Sequence, residues 1–143
     1  MYNFRKSKKG FTLIELMVVV AIIGVLALLG LRLYTGQQQK AKNAVVKANC
    51  GTIQTLIQAE LADHEVGDLD DATERTTLIF SKAGIYNPVT GSAQEADKTK
   101  AAAAEGEVWV EYSNNVFSIN GKSAGSVVAD DDFVYTNDLT ARK

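Results

Sequence analysis

The sequence predicts an α+β protein: a long N-terminal helix, hydrophobic in its N-terminal half, packed in its C-terminal half against a C-terminal antiparallel β-sheet. Three observations carry this. Phe11 to Leu31 is an apolar run with one charge, Glu15, and the helical signal continues past it to about Asp63. Strand-type alternation is confined to the stretch after Glu107. The one proline, Pro88, falls between these two regions, so nothing in residues 11–63 breaks a helix.

The chain has 143 residues, 46% hydrophobic and 22% charged, which fits one domain with a short extra segment and excludes wholesale disorder. One cysteine, Cys50, excludes an intrachain disulfide framework and any CxxC metal site. One histidine, His64, argues against a His-rich metal centre or a His-based triad. Charge is unevenly placed. Residues 1–10 hold Arg5, Lys6, Lys8 and Lys9 and no acid. The other 11 Lys/Arg face 17 Asp/Glu, so residues 11–143 carry a net −6. Nucleic-acid binding needs a basic face, so no specific nucleic-acid partner is expected.

The first element is the apolar run FTLIELMVVVAIIGVLALLGL, 21 residues at 11–31. As a helix it spans about 31 Å, enough to cross a bilayer. The residues after it are too few to bury such a helix on all sides. Four Lys/Arg precede the run and only Arg32 follows closely, which places the N-terminus in the cytoplasm and residues 32–143 outside. A secretory signal peptide has a shorter apolar core and a small-residue cleavage site after it. Here LRLYTGQQQ follows, with no A-x-A pattern. A plain signal anchor leaves Glu15 unexplained. A carboxylate inside such a span costs about 2.5–3.5 kcal/mol on insertion scales. No Lys, Arg or His lies elsewhere in the run, so the counter-charge must come from another chain or from a free α-amino group at Phe11.

The string Lys9-Gly10-Phe11-Thr12-Leu13-Ile14-Glu15-Leu16, behind a short basic leader and ahead of the apolar run, resembles the class III signal of type IV pilins. The resemblance is strong over residues 5–31, and its ten-residue leader and Phe11 are similar to the type IVa branch. It implies a pilin fold and three regions: a leader at 1–10, a transmembrane and filament-core helix at 11–31, and a globular head at 32–143 that includes the C-terminal half of the long helix. It implies cleavage between Gly10 and Phe11 by a prepilin peptidase, N-methylation of Phe11, and assembly roles for Phe11, Thr12 and Glu15. The implied protein is a homo-oligomeric surface filament subunit for adhesion or motility, stored in the inner or cytoplasmic membrane, with an assembly platform and ATPases as partners. A pseudopilin of a type II secretion system, a competence pilin and a signal-anchored surface binding module are the alternatives. In the family a proline often stands where this chain has Arg32, closing a stretch that unwinds in filaments after the position of Gly24.

Beyond the run, Val46, Cys50, Ile53, Ile57 and Leu61 recur at helical spacing, which predicts one helix from about Phe11 to Asp63, roughly 80 Å long. Lys42, Lys47, Asn49, Gln54, Gln58 and Glu60 are expected on its other faces. Gly24, Gly30 and Gly36 weaken the helix or pack it closely against another. His64–Asp71 reads as a polar turn, with Asp70 or Asp71 capping a short helix that runs through Ala83 and stops at Gly84. Asn87-Pro88-Val89-Thr90-Gly91 is a turn signal, and Asp97–Glu105 is either a short helix or a loop. Glu107–Tyr112 and Val116–Ile119 form a hairpin around Ser113-Asn114-Asn115, with Asn120-Gly121 ending its second strand. Val127-Val128 and Phe133-Val134-Tyr135 supply a third strand and a fourth.

Cys50 on the apolar stripe is a buried inert thiol or the source of an intermolecular bond. Asp130-Asp131-Asp132 is a solvated acidic turn rather than a calcium loop, lacking EF-hand spacing. Asp63, Glu65, Asp68, Asp70 and Asp71 surround His64 without a nucleophile, a metal set or a Gly-rich loop. No enzyme, no metal and no cofactor are therefore expected. Trp109 is expected in the core or at a subunit contact.

Overall fold

The computed structural model describes residues 10–63, 69, 71–95, 103–125 and 133–140. The chain divides into two units, one up to Gln37 and one from Gln38 onward. Helix α1 (Leu13–Asp63) begins in the first and ends in the second. It starts two residues after Phe11 and, in the single chain, is helical from Gly24 to Arg32. A Cβ added at Gly24, Gly30 or Gly36 meets nothing within 4 Å, so no contact among the described residues requires those glycines.

In the first unit every large apolar side chain from Phe11 to Tyr34 is between 49% and 89% exposed. The helix is long and apolar enough to cross a membrane.

In the second unit the stripe read from the sequence is the core. Val46, Cys50, Ile53 and Ile57 are fully buried, and Leu61 packs half-buried beside them. They face a three-stranded antiparallel sheet in the order β1-β2-β3. Strand β1 is Val108–Ser113, β2 is Val116–Lys122 and β3 is Phe133–Thr140. Val108, Val110, Phe117 and Ile119 fill the core with the helix. Trp109 is also fully buried, so the start of β1 is covered on both faces. Asn114 and Asn115 turn the hairpin with φ of 52° and 65°, as a tight two-residue loop of this hand requires.

One expected boundary is wrong. Asn120-Gly121 does not end β2, which pairs on through Lys122. Gly121 lies where α1 comes closest to the sheet: an added Cβ would sit 2.7 Å from Val46 Cγ1 and 2.8 Å from Cys50 Sγ. It is a close-approach glycine within a strand, not a turn glycine.

Two helix residues expected at the surface are buried, Asn49 and Glu60. The connecting segment clasps α1 on a second side. Asn49 Nδ2 donates to the Tyr86 carbonyl at 3.1 Å. Lys82 Nζ donates to Glu60 Oε1 at 2.6 Å. Leu69, inside the stretch read as a polar turn, is fully buried, and its carbonyl accepts from Arg75 Nη1 at 2.9 Å. The Asp71 carboxylate accepts from Thr73 N–H at 2.8 Å and starts α2 (Ala72–Arg75). A π-helical turn, Thr76–Phe80, brings Ile79 and Phe80 into the core. Helix α3 (Ser81–Ala83) then stops at Gly84 in the left-handed conformation, φ 56°.

The Asn87 side chain organises the next turn, its Oδ1 accepting from Val89 N–H at 2.7 Å and its Nδ2 donating to the Glu105 carbonyl at 2.9 Å. Residues 103–105 are not helical. The rest of the Asp97–Glu105 reading lies outside the described residues, as do Val127-Val128 and Asp130–Asp132. With no disulfide to hold it, β3 is fixed by pairing with β2 and by Gln54. That side chain's Oε1 accepts from Tyr135 O–H at 2.7 Å and from Asn137 Nδ2 at 2.9 Å.

Candidate assembly site at the N-terminus

The site begins with how α1 starts. The first N–H groups of a helix lack partners within it and need an acceptor. Thr12 and Glu15 supply a reciprocal pair. The Glu15 N–H donates to Thr12 Oγ1 at 3.3 Å, and Glu15 Oε2 accepts from the Thr12 N–H at 2.8 Å. The Thr12 hydroxyl also donates to Glu15 Oε2, at 2.7 Å. This is a capping box, with Thr12 as N-cap and Glu15 three residues on. It fixes the first helical turn after Thr12 and leaves Gly10 and Phe11 outside the helix. Both are exposed, Phe11 at 89%.

The geometry amends the reading of Glu15. Its carboxylate does not wait on another chain for all of its partners, since Thr12 supplies two donors. Both donors are neutral, so the negative charge stays uncompensated. In an apolar medium that charge still calls for a cation. Four residues separate Phe11 from Glu15, and the cap holds the carboxylate toward the N-terminal end of its own helix. Sequence reasoning missed the cap although its signature, Thr-x-x-Glu before an apolar run, is plain in residues 12–15.

Other candidates yield no site. Asp63 and Asp71 are exposed, while His64, Glu65, Asp68 and Asp70 lie outside the described residues. No cluster of three metal-ligating side chains occurs among the described residues. Cys50 is buried, and burial pushes its thiol up to about 12.

Comparison with known proteins agrees with the motif. Residues 5–31 match the model of the prokaryotic N-terminal methylation motif. The fimbrial protein EcpB of Eikenella corrodens is 40% identical over 68 residues, covering 48% of this chain and 43% of that protein. A type IV major fimbrial protein FimA of Dichelobacter nodosus is 27% identical over 120 residues, covering 84% and 71%. The type IV major pilin protein PilA of Myxococcus xanthus is 42% identical over 53 residues, covering 37% and 24%. The chain thus spans less than half the length of the first and third of these relatives and about seven-tenths of the second. No solved structure matches it. The capped start of α1 and its apolar stretch to Leu31 lie within that methylation motif. In motif and in sequence the chain is similar to type IV pilins and fimbrial proteins.

Proposed function

We propose that the chain is a structural subunit, not an enzyme, that is stored in a membrane by residues 11–31 and polymerises into a surface pilus serving adhesion or motility. A prepilin peptidase cuts between Gly10 and Phe11 on the cytoplasmic side and methylates the new amine of Phe11. An assembly platform with its ATPases then moves the subunit out of the inner membrane. The observation that carries this reading is that every large apolar side chain of α1 from Leu13 to Tyr34 is exposed, and that most of this stretch lies within the methylation motif at residues 5–31. Bilayer lipid covers that surface before assembly, and identical helices cover it afterwards. The new amine of Phe11 in one subunit supplies the cation that Glu15 of a neighbour needs, which sets axial register. Thr12 holds the carboxylate in place for that pairing.

Mass spectrometry of the mature N-terminus, run on the natural chain and on Glu15→Val, tests this. The expected mature chain begins at methylated Phe11 in both, and only the natural chain forms filaments. An intact residue 1–10 segment makes the chain a signal-anchored surface module. Abundant filaments from Glu15→Val remove the carboxylate from assembly.

A further inference from the structure

Of the asparagines in this chain, Asn120 alone is followed by glycine. The nitrogen of the next peptide can attack an asparagine side-chain carbonyl, and glycine hinders that attack least because it has no Cβ. Gly121 is glycine for a separate reason. Helix α1 comes so close that an added Cβ would sit 2.7 Å from Val46 Cγ1 and 2.8 Å from Cys50 Sγ. The packing that forbids a side chain at 121 therefore sets a chemically labile pair in the middle of the sheet. The folded sheet holds that pair shut. β2 is the central strand. Asn120 pairs with Trp109 on one side and Thr136 on the other, and Gly121 pairs with Val108 and Tyr135. An extended residue has ψ of about 135°, which turns its side-chain carbonyl away from the following nitrogen. Ring closure requires rotation about that bond, and both ladders oppose it. The Asn120 amide is also engaged: Nδ2 donates to the Ser118 carbonyl at 3.2 Å, and the residue is 8% exposed.

We propose that Asn120-Gly121 is a self-modification site gated by the sheet, deamidating in chains whose β2 has opened and staying intact in folded ones. In the opened strand the Gly121 nitrogen attacks Asn120 Cγ. The N–Cγ bond forms and the Cγ–Nδ2 bond breaks. The proton of the Gly121 N–H passes through solvent to Nδ2, which leaves as ammonia. Water then opens the succinimide at either carbonyl, giving aspartate or isoaspartate, with no oxidation or reduction. The rate follows the open population, because only the opened strand reaches the ring-closing geometry. The product re-forms the sheet less stably. Aspartate places a carboxylate where the amide donated, facing the Ser118 carbonyl and beside the fully buried Trp109. Isoaspartate adds a backbone methylene next to Gly121, where α1 leaves no room. Opening of the head therefore leaves a lasting covalent mark. This inference stands apart from the filament reading above.

The test incubates the full-length, detergent-solubilised chain at mildly alkaline pH, folded and in urea. Peptide mass spectrometry and isoaspartyl methyltransferase labelling follow each asparagine. Conversion at Asn120 is expected to run at least tenfold faster in urea than in the folded chain. In urea it is also expected to outpace Asn114 and Asn115, whose next residues carry side chains. Ile53→Ala, which loosens the core, is expected to speed conversion without urea at least tenfold and to leave the rate in urea unchanged. Ile23→Ala, outside the core, is expected to change neither rate. Asn120→Asp and the purified isoaspartyl chain are both expected to unfold at lower urea than the natural chain. Equal rates in the folded chain and in urea overturn the gating, as does an Ile53→Ala chain that unfolds more readily yet converts at the natural rate. No conversion in urea overturns the site itself. A natural unfolding midpoint for both products overturns the lasting mark.

Discussion

Residues 13–34 and residues 46–57 belong to one helix and are built for different surroundings. In the first stretch every large apolar side chain is exposed, and the glycines touch nothing. In the second, Val46, Cys50, Ile53 and Ile57 are fully buried, and the sheet approaches so closely that Gly121 has no room for a side chain. The contrast separates two sources of order. The chain supplies the partner for the second stretch itself, as β1, β2 and the connecting segment. Among the described residues it supplies none for the first, whose burial the proposed function assigns to lipid and to other copies. Stability of the head and stability of a filament are therefore separable properties of one helix.

Truncation on each side breaks or sharpens this contrast most strongly. Ile53→Ala removes a fully buried side chain and is expected to destabilise the head by about 2–5 kcal/mol, read by urea unfolding of the detergent-solubilised chain. Ile23→Ala, 59% exposed, is expected to leave that unfolding curve unchanged and to lower filament yield instead. Equal unfolding midpoints for the two variants would erase the distinction.

Glycine substitution gives a smaller effect of the same kind. Gly121→Ala forces Val46 and Cys50 to move and is expected to cost about 1–3 kcal/mol. Gly24→Ala meets open space and is expected to stabilise the helix by up to about 1 kcal/mol. Helicity by circular dichroism and the unfolding midpoint separate the two.

The smallest effect concerns the lone thiol. Burial raises the Cys50 thiol from 9.0 to about 12 in the folded chain. A folded-state value above the unfolded one means the contribution is complete below pH 9 and is lost as pH rises toward 12. The natural chain is therefore expected to lose stability over that range more steeply than Cys50→Ala. Alkylation at pH 8 should label Cys50 only after unfolding. Rapid labelling of the folded chain would place the thiol at the surface.

Much of this was legible in the residues because it is periodic. The stripe Val46–Leu61 and the alternation after Glu107 set which faces are buried, and Asn114-Asn115 set the hairpin. What escaped depends on tertiary contact. Asn49 and Glu60 look like solvent residues until the connecting segment provides Tyr86 and Lys82 as partners. Gly121 reads as a turn because its role, the approach of a helix distant in sequence, leaves no local trace. Leu69 was hidden by the acids around it. The cap at Thr12 and Glu15 is of another kind. Its signal is local: Thr12 stands three residues before Glu15, the spacing of a capping box.

A filament structure resolved to side chains tests the central claim most directly. The account predicts residues 11–31 packed against the same residues of neighbouring subunits, with each Glu15 carboxylate within ion-pair distance of another subunit's Phe11 amine. Fibres in which those helices contact only lipid or solvent, or in which Glu15 stands remote from every neighbouring amine, would contradict it.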